Sequence, residues 1–332
     1  MDDSYSYEFV YTWSMDRMSA LLDGPRARGA FVIRCLLQPP WAIHVRDRAP
    51  LTVVAAVRGD AWITQGGVVV HVPEGSVALA VGPEPYDVSS AEGVAPDIFI
   101  NPGQHCETAD GESLEISMRL GVRTWGHAID AKSVLLTGTY EHHSALGADL
   151  LAALPTPLIV ARPDPDPLVA LLAAELAHDA PGQQTVLDRL LDTLTVDTLR
   201  AWYVEQGRSA PAWWLCHHDP IVGDALRLIH DEPERDWTIV TLAGAIGTSR
   251  ANLARHFTAL VGEPVMTYLT RWRMTLAADL LAQPDMTVAA VSAQVGYASP
   301  FGFSTAFKRR YGVSPTEHRR AVALVDAEPL GA

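Results

Sequence analysis

Residues 288–299 read VAAVSAQVGYAS, and residues 242–250 read LAGAIGTSR, which is a shorter form of the same pattern. In each copy an apolar, alanine-rich run ends at a glycine, and a serine soon follows. Glycine commonly ends a helix, and serine is a strong cap for the start of the next one. The pattern predicts two helix–turn–helix units, whose second helices would run from about 250 to 260 and from about 300 to 311.

A long helix is predicted between the two units, over about Val265–Ala282. At 1.5 Å per residue it would be about 27 Å long. That length would hold two recognition helices about one duplex turn, ~34 Å, apart. The sequence is therefore interpreted as a reader of two neighbouring major grooves in double-stranded DNA.

The candidate DNA contacts lie at the caps and on the outward faces of the two second helices. Arginine can pair with guanine and asparagine with adenine, whereas lysine and arginine also bind phosphate. Phe301 would either touch a thymine methyl group or pack locally, and the outward faces could instead be simply solvated. The candidates are Ser249, Arg250, Ala251, Asn252, Arg255, Ser299, Pro300, Phe301, Thr305, Lys308 and Arg309.

The net charge of −14 is unusual for a DNA-binding protein, so its distribution along the chain matters. Residues 240–320 contain 9 lysines and arginines against 4 acidic residues, a local net charge of +5. Because salt screens charges within roughly 10 Å, a basic segment on an acidic chain can still bind phosphates.

The N-terminal part of the chain has a different texture. Residues 29–140 consist of short apolar or alternating runs separated by glycine and proline, which predicts an antiparallel sandwich or barrel. The expected strands include Phe31–Leu37, Val68–Val72 and Leu114–Leu120. Residues 155–167 are rich in proline and are expected to form a linker.

Two amphipathic helices are predicted after this linker, over about 167–178 and 184–206, and a short one around Asp16–Leu22. The second has a long apolar stripe, which could pack on the β domain or form a dimer seam. The predicted domains are a β domain with an N-terminal arm (1–155), a linker with a helical pair (156–210), a DNA-binding domain (219–320) and a tail (321–332).

Other features bear on the class of protein. No apolar run has the length of a transmembrane helix, and Met1–Tyr5 lacks the basic region of a signal peptide. The cysteines Cys35, Cys106 and Cys216 are odd in number and widely spaced, which excludes a secreted disulfide framework. These features predict a cytoplasmic protein without a membrane partner.

Residues 219–320 carry a longer set of residues in a characteristic order: Trp237, Leu242, Ser249, Arg250, Leu253, Arg255, Phe257, Gly262, Pro264, Trp272, Arg273, Gly296, Tyr297, Ser299, Phe303, Phe307, Gly312, Ser314 and Pro315. In this they resemble the DNA-binding domain of the AraC/XylS family of bacterial transcription regulators. The resemblance implies tandem helix–turn–helix units. It also implies base contacts from Ala251 and Arg255 in the first unit and from Pro300, Phe301 and Thr305 in the second.

Residues 25–205 resemble the cupin-like sensor domain of one branch of that family, with matching turns and strands at 59–62 and 75–79. This implies a jelly-roll barrel for effector sensing and a helical dimer interface. The predicted fold is therefore α+β with two domains: an N-terminal antiparallel β-barrel (cupin-like jelly roll) with flanking helices, and a C-terminal all-α tandem helix–turn–helix domain. The expected partners are DNA, RNA polymerase, a small-molecule effector and a second copy of the chain.

The sensor domain leaves alternatives open. An aromatic effector pocket could be lined by a set of large side chains, although core packing is also a common role for them. Cys35 and Cys106 could sense oxidants; Cys35 could instead be an inert core residue, whereas Cys106 is expected in a loop beside His105. The pocket candidates are Trp41, His44, Trp62, Tyr86 and Trp125.

The cupin resemblance also raises the alternative of a metalloenzyme with a DNA-binding tail. Cupin enzymes usually need two histidines one residue apart, and the β region has no such pair. A zinc site drawn from Cys35, His44, His105 and Cys106 is a further alternative. The main prediction is a protein with no metal, no cofactor and no enzymatic activity.

Overall fold

The computed structural model describes residues 30–140, 151, 154–161, 166–207, 210, 212–216, 219–283 and 285–327. The helix expected around Asp16–Leu22 lies outside these residues. Within them the chain forms two compact units, one over residues 30–210 and the other over 212–319. The first is rich in strands and the second is helical. This confirms the predicted two-domain α+β class.

The described strands of the first unit form two sheets. A seven-stranded sheet has the order β10-β11-β1-β12-β3-β6-β13, and a six-stranded sheet has the order β5-β4-β7-β2-β8-β9. Most neighbours are antiparallel, but β1 with β11 and β2 with β8 are parallel. The strands are β1 (Phe31–Leu37), β2 (Ala42–Val45), β3 (Leu51–Arg58), β4 (Ala61–Gln65), β5 (Val68–Val72), β6 (Val77–Val81), β7 (Tyr86–Ser89), β8 (Ile98–Asn101), β9 (His105–Thr108), β10 (Arg119–Gly121), β11 (Thr124–Gly126), β12 (Ser133–Tyr140) and β13 (Leu158–Val160).

The core of this unit lies between the two sheets. Alternate residues of each strand point to the same face, and one face of each sheet contributes to a shared apolar cluster. Cys35, Val54 and Leu135 come from the seven-stranded sheet, whereas Ile43 and Val88 come from the six-stranded one. Each large apolar side chain buried in this way contributes about 1.5–3 kcal/mol to folding.

Two expectations for this unit were wrong. The strand expected at Leu114–Leu120 is mostly turn, and only its end belongs to β10. The proline-rich linker 155–167 contains β13, which pairs antiparallel with β6. The three residues of β13 add a strand at the edge of the sheet. Prolines lie close to them in the sequence but outside the paired residues, where a missing N–H does not remove a ladder hydrogen bond.

Two helices cover the outer face of the seven-stranded sheet, α1 (Pro167–Leu176) and α2 (Gln183–Gln206). The apolar stripe of α2 is mostly buried within this unit; Leu187, Leu191 and Leu194 are at most 1% exposed. The backbone amide of Ala30 donates to Asp188 Oδ1 of α2 at 3.1 Å. Packing on the sheet is therefore the role the structure shows for the stripe.

The second unit consists of helices. None of the helices in the described parts of the chain is both long and apolar enough to cross a membrane. They are α3 (Ala212–Leu215), α4 (Val222–Asp231), α5 (Ile239–Ala245), α6 (Arg250–Val261), α7 (Val265–Leu281), α8 (Val288–Gln294), α9 (Pro300–Tyr311) and α10 (Pro315–Ala327).

Candidate functional site

The second unit contains two helical pairs of matching construction, α5 with α6 and α8 with α9. The shorter helix of each pair begins at a threonine cap, Thr238 or Thr287. The longer one begins at a serine whose Oγ accepts a hydrogen bond from the backbone amide three residues on, at 3.2 Å in both cases. Each longer helix has 12 residues and ends at a left-handed glycine, Gly262 or Gly312.

The two longer helices are also buried in the same register. From Ala251 to Leu260 and from Phe301 to Arg310, the order of exposed, half-buried and buried side chains is identical at every position. Both pairs pack against the central helix α7. Its length of 17 residues corresponds to about 26 Å. Equivalent faces of α6 and α9 are therefore left open to solvent.

Arg255 lies on the open face of α6 and is held in place by its own helix. Its Nη2 donates to Asn252 Oδ1 at 3.0 Å, and Asn252 Nδ2 donates to Thr248 Oγ1 at 2.9 Å. His256 Nδ1 is 3.1 Å from the same amide oxygen. Asn252 is half-buried, and both atoms of its side-chain amide contact neighbouring residues. Asn252 was predicted as a base contact, and its amide oxygen here accepts a hydrogen bond from Arg255.

The open face of α9 carries different chemistry. Phe301 is 84% exposed, and Thr305 is exposed one turn further along. Lys308 and Arg309 are exposed in the last turn of the helix. The half of the helix nearest its start therefore presents an apolar ring, whereas its end presents cations.

Several basic residues of this unit are occupied by internal contacts. Arg271 pairs with Glu263 at 2.7 Å. Arg273 donates to the carbonyl oxygens of Pro233 and Arg235, each at 2.7 Å, and burial lowers the pKa of its guanidinium. The number of basic residues counted in the sequence is therefore larger than the number available to bind phosphates.

The first unit contains a cavity of about 460 Å³ between its two sheets. Its lining is mostly apolar and comes from both sheets. The residues that give it this character are Phe31, Ile33, Ile43, Val45, Val54, Val88, Ile100, Trp125 and Leu135.

Three of the polar side chains that line the cavity contact other protein groups. Gln104 Nε2 donates to Asp47 Oδ2 at 2.8 Å, and His105 Nδ1 lies 2.8 Å from Glu115 Oε1. Arg123 donates to the side-chain oxygens of Gln183 and Gln184, which begin helix α2. Arg123 thus links the cavity wall to the helix on the outer face of the sheet, a role that its sequence position alone does not indicate.

The predicted pocket residues are divided by the structure. Tyr86 and Trp125 line the cavity, and burial raises the pKa of the Tyr86 hydroxyl, which keeps it neutral. Trp41 is instead part of the packed core. His44 Nδ1 lies 2.6 Å from Asp87 Oδ1, and Trp62 stacks on His71 with ring centroids 4.4 Å apart. Trp41, His44 and Trp62 are not among the residues that line this cavity.

Cys35 and Cys106 line the same cavity, from β1 and β9. Cys106 was expected in an exposed loop beside an activating histidine, but it lies half-buried on a strand, and His105 contacts Glu115. Burial, with smaller contributions from Cys35 and Glu115, raises the pKa of Cys106 to about 12. Burial also raises the pKa of Cys35 to about 12.

Cys35, His105 and Cys106 of the alternative zinc site line the cavity, whereas His44 does not. His44 and His105 contact different carboxylates, as described above. Across the described residues, no three His, Cys, Asp or Glu side chains are grouped so that they could hold a metal ion.

Comparison with known proteins gives matches to both units. The family profile described as "Cupin" matches residues 16–204, and the profile described as "Helix-turn-helix domain" matches residues 242–321. A protein of Streptomyces lividans described as an AraC-like transcription regulator is 30% identical over 288 residues, covering 84% of this chain and 90% of the relative. The HTH-type transcriptional regulator AlkR of Acinetobacter baylyi is 26% identical over 314 residues, covering 92% and 99%.

Among solved structures, the DNA-binding domain of AdpA, crystallised with a target DNA, is 27% identical with a TM-score of 0.31, covering 33% of this chain and 98% of that domain. The family assignment depends instead on the long sequence matches, which span both units. The chain belongs to the AraC-like transcription regulators, with a cupin-like N-terminal domain and a helix–turn–helix DNA-binding domain.

Proposed function

We propose that α6 and α9 enter two successive major grooves of one DNA duplex, and that the cavity of the cupin-like unit binds a small-molecule effector that controls transcription. The observation that carries the first part is the identical burial register of the two helices, which leaves equivalent faces open. Two recognition helices on one rigid scaffold suit neighbouring half-sites. The central α7 lies between the two helical pairs and is about 26 Å long, somewhat shorter than the ~34 Å of one duplex turn.

The contact residues have different roles in this proposal. Arg255, held by Asn252, donates to a guanine edge, and Ala251 lies one turn before it on the same open face. Arg250 with Ser249 at the start of α6, and Ser299 with Pro300 at the start of α9, lie where helix N-termini meet phosphate or base edges. Phe301 and Thr305 face the bases of the second half-site. Lys308 and Arg309 bind phosphates.

The first test is Arg255→Ala, after the bound sites have been found by genome-wide footprinting. Loss of a bidentate guanine contact should weaken specific binding by about 1–3 kcal/mol and relax the preference at one base position. Binding to random duplex should change little, because Arg255 is assigned to a base. Fluorescence anisotropy with both duplexes measures the two effects.

Arg227→Ala is the matched control for this test. Arg227 is an exposed arginine of the same unit that pairs with Asp224 on α4, at 3.2 Å. The substitution removes the same charge away from the proposed contact faces, and it should leave the base preference intact. Equal losses on specific and random DNA with Arg255→Ala would assign Arg255 to phosphate and contradict the proposed role.

The effector proposal rests on the apolar cavity and on two of its aromatic walls, Tyr86 and Trp125. We expect the two sheets to form the cupin-type barrel around it. A ligand that binds only the folded state raises stability by about 2.7 kcal/mol at a hundredfold excess over its Kd. A thermal-shift screen of small molecules should therefore find a ligand whose effect is reduced in Trp125→Phe. In Trp62→Phe, which lies outside the cavity, the ligand should cause the same thermal shift as in the unchanged protein. A thermal shift reduced in Trp62→Phe but not in Trp125→Phe would contradict the cavity assignment.

A second candidate signal is oxidation, favoured by one observation, that Cys35 and Cys106 line the same cavity. Two thiols would form a disulfide and give two electrons and two protons to an oxidant such as a peroxide. Their raised pKa values count against rapid reaction, since the thiolate is the nucleophile. A reporter assay tests this candidate with Cys35→Ser and Cys106→Ser, and Cys216→Ser is the control. If the response to oxidant persists in the first two variants, the candidate is excluded.

The remaining expectations complete the proposal. We propose that the chain acts as a homodimer, contacts RNA polymerase, works in the cytoplasm and catalyses no reaction of its own. The support is its membership of a family of transcription regulators. Light scattering of the purified chain tests the homodimer, and a mass of about one chain would contradict it.

A further inference from the structure

The two recognition helices differ in the size of the exposed side chain at one equivalent position. Phe301 occupies on α9 the place that Ala251 occupies on α6, two residues after the capping serine. It is 84% exposed, whereas Phe303 and Phe307 of the same helix are fully buried. A phenyl ring left in water on a capped and well-packed helix gains stability only when an apolar partner covers it.

The neighbours of Phe301 leave its ring as the largest group on this part of the helix. Pro300 and Gly302 flank it, and the Ser304 hydroxyl donates back to the Pro300 carbonyl at 2.8 Å. Thr305 stands where α6 has Arg255, and its hydroxyl donates to the Phe301 carbonyl at 3.0 Å. The first turns of α9 therefore offer no long hydrogen-bonding side chain to a base edge.

The other end of α9 indicates what kind of surface the helix meets. Lys308, Arg309 and Arg310 are exposed in its last turn. Such cations favour a polyanion over an apolar protein partner. Within the major groove the C5-methyl group of thymine is the apolar group that a base pair displays, and phenylalanine is among the side chains that contact it.

Resting on the function proposed above, we propose that Phe301 determines sequence specificity in the second half-site by packing on a thymine methyl group. The first helix then reads a hydrogen-bonding base edge through Arg255, whereas the second reads an apolar one. The operator would have a guanine requirement in one half-site and a thymine requirement in the other.

The experiment begins with selection of duplexes from a random library by the full chain. Each thymine of the selected duplex is then replaced singly by deoxyuridine, which lacks only the methyl group. Removal of one buried carbon should weaken binding about fourfold at one or two thymines. These positions should lie in the half-site whose base preferences survive Arg255→Ala. At these positions, Phe301→Ala should bind the thymine and deoxyuridine duplexes equally.

Controls separate this contact from general effects. Phe301→Leu keeps an apolar side chain and should retain part of the deoxyuridine penalty. Because Phe301 is exposed, Phe301→Ala should melt at the same temperature as the unchanged protein. Any loss of affinity caused by deoxyuridine in the first half-site should be the same for Phe301→Ala and for the unchanged protein.

Three outcomes would overturn the proposal. One is a selected second half-site in which deoxyuridine costs nothing. Another is a penalty that persists in Phe301→Ala, because the methyl group would then be read by a different residue. Both leave two-groove DNA recognition standing. A selection that enriches no sequence at all would overturn the DNA-reading proposal itself, and this inference with it.

Discussion

Gly247 and Gly296 occupy equivalent places after α5 and α8, and both have positive φ, 70° and 75°. Their surroundings differ. A Cβ at position 247 would meet nothing within 4 Å, whereas a Cβ at 296 would lie 2.6 Å from the Glu234 carbonyl oxygen and 2.7 Å from Arg273 Nη2. Gly296→Ala should therefore lower the free energy of unfolding by about 2–5 kcal/mol, combining left-handed strain with overpacking.

Gly247→Ala separates these two causes. It incurs the left-handed strain alone, so the expected loss is about 1–2 kcal/mol. Urea denaturation of the full chain, followed by the signal of the helical unit, measures both variants. Equal losses would show that the close approach at Gly296 relaxes without cost and that backbone conformation alone accounts for the effect.

The raised pKa of Cys106 gives a pH prediction at the same scale. A thiol with an ordinary pKa near 9 reaches its full alkylation rate soon above that pH, but one with a pKa of about 12 does not. Because raising the pKa favours the protonated form, the rate with iodoacetamide should rise about tenfold per pH unit from pH 8 to 10. Mass spectrometry of the Cys106 peptide measures it, and a rate that levels off between pH 9 and 10 would contradict the assigned environment.

At this scale the sequence predicts some roles and misses others. The serine caps follow from short-range backbone chemistry, and both are where the pattern puts them. The hydrogen bond from Arg255 to Asn252 was missed, because it depends on side-chain rotamers. Their i,i+3 spacing was the available signal. Two of the five candidate pocket residues, Tyr86 and Trp125, line the cavity, since only the fold decides which side chains face the space between the sheets.

The packing of α2 on β12 can be tested by substitution at a single glycine. Gly138 on β12 lies under Leu191 of α2, and a Cβ there would approach the Leu191 Cδ1 to 2.3 Å. Leu191 is 0% exposed and has little room to move. Gly138→Ala should push the helix from the sheet and lower the free energy of unfolding by about 1–3 kcal/mol.

Gly121→Ala is the control for this prediction. Gly121 lies on β10 of the same sheet, and a Cβ there would meet only Thr124 Cβ at 3.8 Å. Chemical denaturation should show little change or a slight gain. Adding Leu191→Ala to Gly138→Ala should cost less than Leu191→Ala alone, because the shortened side chain also removes the clash. Additive losses would contradict the proposed contact.

The longest elements were predicted with nearly the right bounds, although the seven-residue strand expected at Leu114–Leu120 was wrong. The long helices α2 and α7 and the strand β1 have enough residues for a period to be read, and the structure gives them nearly the expected bounds. The strands β9, β11 and β13 have only 3 or 4 residues. No period can be recognised in so short a segment, so the sheet partners that define them were needed to find them.

The distribution of charge over the whole chain leads to the last prediction. Lys132 and Lys308 are the two lysines of the sequence, and both are exposed. Lys132 lies on the cupin-like unit and Lys308 at the end of α9. Because Lys308 is assigned to a phosphate, Lys308→Gln should weaken binding to specific and random DNA alike. It should also reduce the slope of log K against log salt by about 0.9.

Lys132→Gln changes the net charge of −14 by the same amount, but in the cupin-like unit, at a residue that is not among the proposed DNA contacts. If DNA responds to the local field, this variant should keep the original slope, since screening confines each charge to roughly 10 Å. If the total charge of the acidic chain governed binding, the two variants would shift affinity equally. Anisotropy titrations of both variants at several salt concentrations distinguish these cases. If both variants had the same slope of log K against log salt, Lys308 would not be a DNA contact. The local charge of +5 on residues 240–320 would then not determine where the duplex binds.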